Sequence, residues 1–134
     1  MVKKLKQTTT NYPAGDFLIR LKNSCMANRD EVPFKSTKFV YALATFLKKQ
    51  KFIQDLDLKE GILTVKIAKS HKKPVMSNLR LVSKPGLRIY KDRDQLAARK
   101  ERSAILVVST PKGIMTNYDA VKNNLGGEVI AEIW

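Results

Sequence analysis

The residues best equipped for chemistry lie close together near the C-terminal end, in the run STPKGIMT at positions 109–116. Ser109 and Lys112 fit the spacing S-x-x-K, in which a lysine activates a serine for acyl transfer. The K-T-G and S-D-N companions of that motif are absent, and Pro111 opposes the helical turn that would bring the two side chains together. A serine triad could draw only on His71, the single imidazole, which sits in a basic run at 69–74. Cys25 is the sole cysteine, so neither an internal disulfide nor a Cys/His zinc cluster is expected. Asp55 and Asp57, two apart, read as a solvated strand edge rather than an acid/base pair. No glycine-rich phosphate loop is present. The expectation is a protein that is not an enzyme, with no cofactor, no metal and no small-molecule substrate.

The same residues suit recognition better than catalysis. Ser109, Thr110 and Thr116 offer small hydroxyls, Gly113 lets a partner's backbone come close, and Lys112 adds one flexible cation. Donors and acceptors of this size on a rigid strand end match the shallow minor groove of RNA, where 2′-hydroxyls and base edges are displayed. Thr110-Pro111-Lys112-Gly113 also reads as a β-turn with proline at its second position, and the two readings are compatible.

Charge points to the same partner. Lysine and arginine number 26 against 12 acids, for a net charge of +14. The excess is concentrated in two blocks, net +8 over residues 1–54 and net +8 over 69–102, while 55–68 and 103–134 each carry a net of −1. A balance so far from neutral describes partners rather than fold: a nucleic acid first, an anionic membrane surface second. No apolar run approaches the roughly 20 residues of a membrane span, and the best amphipathic helix spends its apolar face on the core, so no membrane partner is expected. The basic start lacks the apolar centre of a secretory signal, and one cysteine suits a reducing compartment. Arg88 and Tyr90 share a strand face, pairing a phosphate-binding cation with a ring that can stack on a base or pack on a sugar.

The elements that must position these groups follow from periodicity. Apolar spacing predicts helices over 14–23 and 38–50, the second capped by Ser36 or Thr37. Alternation predicts strands over 52–56 and from 61 onward, joined by a turn at 58–61. Residues 28–33 read as a loop, and 69–74 as the junction between two halves. Strands are expected over 79–81 and 87–90 around a turn at 83–86, then one helical turn within 91–102, then a buried strand at 104–109. Thr116 caps a short helix that the glycines at 126–127 would end. The final strand, 128–134, would place Val129, Ala131 and Ile133 on one face and Glu128, Ile130, Glu132 and Trp134 on the other. The class is α+β. Its two modules are an N-terminal one, 1–70, with helices packed on a short sheet, and a C-terminal one, 71–134, of mostly antiparallel strands with one short helix.

SKPGLRIY at 83–90, VVSTPKGIMT at 107–116 and LGGEVI at 125–130, in that order, resemble the small-subunit ribosomal protein S-eight family of bacterial type. DFLIRLKN at 16–23 and STKFVYALATFLKKQKFI at 36–53 are similar to its first helix and its second helix with the following strand. The resemblance implies a two-domain α+β protein that binds small-subunit ribosomal RNA, recognises a helix with an irregular internal loop in the central domain, and helps that domain fold during assembly. It implies neighbouring small-subunit proteins as further partners and, in many bacteria, the protein's own messenger RNA as a second target. The family's Ser-Thr-Ser-Lys-Gly loop falls on Ser109, Thr110, Lys112 and Gly113, and its acidic residue near that loop falls on Glu128. With the basic and aromatic positions, the expected RNA-binding set is Lys84, Arg88, Tyr90, Ser109, Thr110, Lys112, Gly113, Thr116 and Glu128. Location follows: on the ribosome, in a bacterial cytoplasm or an organelle matrix. A free-standing RNA-binding regulator of messenger RNA is the alternative function. Three positions depart from the family pattern: Pro111 replaces the loop's second serine, ERSAI at 101–105 replaces a glycine-containing run, and Lys51 replaces the glycine usual before Phe52-Ile53.

Overall fold

The computed structural model of the chain describes residues 12–99 and 104–134, and it falls into two units, the first ending at Ser77 and the second spanning Asn78–Trp134. In the first, Pro13 opens helix α1 (Pro13–Met26) at a position where a missing N–H does no harm. Phe17, Leu18 and Leu21 of α1 are fully buried. The Thr37 hydroxyl accepts from the Val40 N–H at 3.1 Å, capping α2 (Lys38–Lys49), which buries Val40, Leu43, Phe46 and Leu47. Both helices run close to their predicted spans.

These helices cover an antiparallel sheet in the order β1-β3-β2, with β1 at Glu31–Lys35, β2 at Ile53–Lys59 and β3 at Ile62–Ile67. β1 falls partly on residues 28–33, expected as a loop, and includes Pro33. The proline is tolerated because β1 is an edge strand, where a missing ladder donor costs little. Val32 and Phe34 on either side of it point inward. Phe34 meets Phe17 edge-on, ring centroids 5.4 Å apart, and Arg20 lies 5.1 Å from its ring centre. Glu60 and Gly61, at φ 51° and 82°, make the tight β2–β3 turn expected at 58–61. Residues 69–74, expected as an irregular junction, form a small hairpin of β4 (Lys69–Ser70) and β5 (Lys73–Pro74) within the first unit.

The second unit is a five-stranded antiparallel sheet: β6 (Leu79–Leu81), β10 (Gly127–Ile133), β8 (Ile105–Thr110) and β9 (Gly113–Thr116) in that order, with β7 (Tyr90–Lys91) also paired to β10. The strand expected at 87–90 survives only at Tyr90. Lys84 and Leu87 exchange both backbone hydrogen bonds at 2.9 Å, which places the tight turn at 84–87, one residue later than expected. A register shift between Val129 and Ala131 inserts Ile130 as an extra residue in β10. Ile130 is therefore buried, 1% exposed, rather than sharing an outer face with Glu128 and Glu132 as strict alternation predicted. Helix α3 (Arg93–Ala97) opens on a capping box between Asp92 and Gln95. The Thr116 hydroxyl accepts from the Asp119 N–H at 3.1 Å to cap α4 (Asn117–Lys122), as expected. Leu96, Leu106, Val108, Ala120 and Val129 form this unit's core. The α+β class read from the sequence is the class of the structure.

Three helices end in one way. In α1, α2 and α4 the residue after the cap is left-handed: Asn28 (φ 57°), Lys51 (φ 71°) and Asn124 (φ 58°). In each, the next two N–H groups fold back onto carbonyls of the last turn; Lys51 N–H reaches Lys48 O at 2.9 Å and Phe52 N–H reaches Leu47 O at 3.0 Å. This is the hydrogen-bond pattern that glycine usually closes. Gly126 and Gly127 therefore do not end α4; Asn124 does. Their role is close packing. A Cβ on Gly126 would lie 2.6 Å from the Lys91 carbonyl oxygen, and one on Gly127 would collide with the carbonyl oxygen of Ser109.

Candidate nucleic-acid interface

β10 organises the candidate residues. Glu128 stands opposite Tyr90 of β7 on one side and opposite Ser109 of β8 on the other, and Ser109 pairs in turn with Ile114 of β9. Residues paired across antiparallel strands share a face, so Tyr90, Glu128 and Ser109 form one transverse row. Tyr90 is 67% exposed. Arg88 Nη1 donates to Glu128 Oε2 at 3.1 Å, which brings Arg88 to the same row. The adjacent pairs, Gly127 with Lys91 and Gly113 with Thr110, belong to the other face of the sheet.

At the β8–β9 turn, Pro111 and Lys112 are exposed and Gly113 has φ 116°. The Thr110 hydroxyl is used inside the turn: it donates to the Gly113 carbonyl at 2.8 Å and accepts from the Lys112 N–H at 3.1 Å. Thr110 is 8% exposed. Ser109, half-buried beside it, makes no side-chain hydrogen bond among the described residues. Thr116 lies at the far end of β9, about 10 Å along the strand, buried as the α4 cap. It is thus set apart from the turn. Lys84 is exposed on the 84–87 turn.

That turn is fastened by a residue the sequence reading passed over. Ser83 is fully buried; its hydroxyl donates to the Val129 carbonyl at 2.7 Å and accepts from the Ile89 N–H at 2.9 Å. It ties the segment carrying Lys84, Arg88 and Tyr90 to β10 directly beside Glu128. A serine just before a Lys-Pro-Gly turn was the available signal. A second missed feature is the pair of arginines on Glu132. Arg80 donates to Oε1 at 2.8 and 3.2 Å, and Arg99 donates to Oε2 at 2.6 Å and to the Ala104 carbonyl at 3.1 Å. The hydrogen bonds from Arg80, more than those from Arg99, hold the Glu132 carboxyl below its ordinary 4.5 against the opposing effect of partial burial.

Elsewhere, burial raises the Cys25 thiol to about 11, partly offset by Lys69, so it stays protonated and unreactive at neutral pH. Among the described residues no three of His, Cys, Asp and Glu gather as metal ligands, and no helix is long and apolar enough to cross a membrane.

Two α+β units, the second gathering polar side chains at a strand end of an antiparallel sheet, define the class. Within it, a sequence model described as Ribosomal protein S8 matches residues 13–134. A protein of Roseiflexus castenholzii named small ribosomal subunit protein uS8 is 36% identical over 132 residues, covering 94% of this chain and 99% of its own length. Proteins of the same name from Chloroflexus aggregans and Caldanaerobacter subterraneus are 34% and 39% identical, each covering more than nine-tenths of both chains. The chain belongs to the ribosomal protein S8 family.

Proposed function

We propose that the chain is a structural constituent of the small ribosomal subunit that binds small-subunit ribosomal RNA, acts without catalysis, and helps the central domain of that RNA fold. The observation that carries this reading is the Tyr90–Glu128–Ser109 row ending at the Thr110–Gly113 turn, in a family member with net charge +14. Ser109 offers its hydroxyl to a 2′-hydroxyl or base edge, Tyr90 stacks on a base or packs on a sugar, and Arg88, Lys84 and Lys112 take phosphates. Gly113, exposed at the turn, lets the RNA backbone come close. Thr110 and Thr116 set the turn and the following helix; Glu128 fixes Arg88.

The test is salt-dependent binding to a central-domain ribosomal RNA fragment and to a plain RNA duplex of equal length. Wild type prefers the fragment. Ser109→Ala loses about fivefold on the fragment, the worth of one hydrogen bond of about 1 kcal/mol, with the salt slope unchanged. Equal affinity of wild type for both RNAs sinks the recognition reading. Sedimentation decides the free-standing regulator: the protein travels with small subunits on a sucrose gradient, and one found mostly off them favours the regulator.

A further inference from the structure

The β4–β5 hairpin has properties that a plain connector does not need. Its strands pair Lys69 with Pro74 and Ser70 with Lys73, and Val75 N–H extends the ladder to the Ala68 carbonyl at 3.0 Å. The two residues of the turn, His71 and Lys72, are both left-handed, at φ 54° and 68°. This turn ordinarily takes Asn-Gly or Gly-Gly, because both positions need positive φ. A histidine and a lysine there are strained by their Cβ atoms. Strain of this kind clusters at functional sites, where it serves a purpose beyond the turn itself.

The base of the hairpin is tied down. Lys69 Nζ donates to Asp30 Oδ1 at 2.7 Å and to the Asn28 carbonyl at 3.3 Å, and its side chain is 20% exposed. Its charge is answered within the protein. His71, Lys72 and Lys73 are exposed, and among the described residues none has a side-chain hydrogen bond or ion pair. The segment 69–75 contains no acid. An anchored, strained, two-residue turn thus holds two unanswered lysines and a histidine in water.

We infer that this hairpin is a second RNA-contacting element, in which Lys72 and Lys73 grip phosphodiester groups. The inference rests on the RNA-binding part of the function proposed above and adds a contact in the first unit. Lysines are point charges on flexible stems, suited to phosphate rather than to base edges. The hairpin therefore supplies affinity and salt dependence, while fragment preference stays with the second unit.

Two full-length variants test it. His71→Asn/Lys72→Gly installs the relaxed turn and removes one lysine; Lys72→Gln/Lys73→Gln removes both without relaxing it. Affinity is measured against salt on the ribosomal RNA fragment and on the equal-length duplex, alongside thermal unfolding. The first variant unfolds at a higher temperature than wild type yet binds RNA more weakly, its log–log salt slope shallower by about 1; the second is shallower by about 2. Both keep the wild-type ratio of fragment to duplex affinity. Wild-type slopes and affinities in both variants on both RNAs overturn the inference. Should wild type bind the two RNAs equally, recognition by the Ser109 row falls, and the slope comparison on the duplex still decides the hairpin.

Discussion

Arg88 donates to Glu128 at 3.1 Å, with Glu128 the less exposed partner at 18% against 38%. An acid in a surface proposed to face RNA is thereby paired, and the arginine is held at the row between Tyr90 and Ser109. Removing the charge of Glu128 alone leaves shape intact and weakens its hold on Arg88. Glu128→Gln therefore keeps or raises affinity for plain duplex RNA and lowers the preference for the central-domain fragment. The fragment-to-duplex affinity ratio is the readout; an unchanged ratio would mean that the ion pair does not orient Arg88.

Ser109 and Thr110 are adjacent hydroxyls with opposite duties. Thr110 satisfies the Gly113 carbonyl and the Lys112 N–H, so Thr110→Val strips two backbone groups of their partner. A loss of about 1 kcal/mol in stability is expected, seen as a lower urea midpoint with the slope of the transition unchanged. Ser109→Ala leaves the midpoint in place and loses fragment affinity. Equal stability of the two variants would contradict the assignment of the Thr110 hydroxyl to the turn.

The contrast between those hydroxyls shows how far the sequence could be read. The strand before the turn and the Thr116 cap were legible because local rules govern them: apolar alternation and capping spacing. The strand face expected to join Arg88 to Tyr90 was not: Arg88 lies outside β7 and reaches the row through Glu128. The duty of Thr110 was not, since two adjacent hydroxyls look alike until the Gly113 carbonyl has a position. Ile130 was misassigned because a bulge leaves no mark in an alternating pattern. β1 was missed because a proline suits a strand only at a sheet edge, and whether a strand lies at an edge is decided by its neighbours. Gly126 and Gly127 were read as a helix stop, when what requires them is the backbone of Lys91–Asp92 and of Ser109 pressing from either side.

Lys51 offers a test of the shared helix ending. It is exposed, left-handed at φ 71°, and closes the α2 terminus through two backbone hydrogen bonds. A left-handed residue with a Cβ is strained by roughly 1–2 kcal/mol, and glycine's greater freedom when unfolded offsets part of any relief. Lys51→Gly is expected to stabilise the protein by about 0.5–1 kcal/mol, raising the unfolding temperature by roughly 2 °C. Lys51→Ala keeps the Cβ and brings no gain. If alanine performs as well as glycine, the effect belongs to the lost charge and not to backbone strain.

Glu132 sets the acid limit of the second unit. Its carboxyl is held below the ordinary 4.5 in the folded state, first by the hydrogen bonds from Arg80 and then by Arg99, with partial burial opposing them. A carboxyl depressed by folding stabilises the fold at pH values above its unfolded value. That contribution is lost as the pH falls through the folded value, where the unfolded chain takes up the proton more readily. Asp30, beside Lys69, and Asp55, which accepts from its neighbouring Leu56 N–H and from Lys48, are depressed in the same direction in the first unit, so acid weakens both units. Glu132→Gln separates the contributions. At pH 7 the variant unfolds at a lower temperature than wild type, because Arg80 and Arg99 lose their shared carboxylate. As the pH falls below the ordinary 4.5 and through the lower folded value, the gap narrows, because wild-type Glu132 becomes protonated and both proteins present a neutral group to the two arginines. Unfolding temperatures of both proteins from pH 7 down to pH 3 give the result; a gap of constant width would show that packing around Glu132, rather than its charge, holds Arg80 and Arg99 on the sheet.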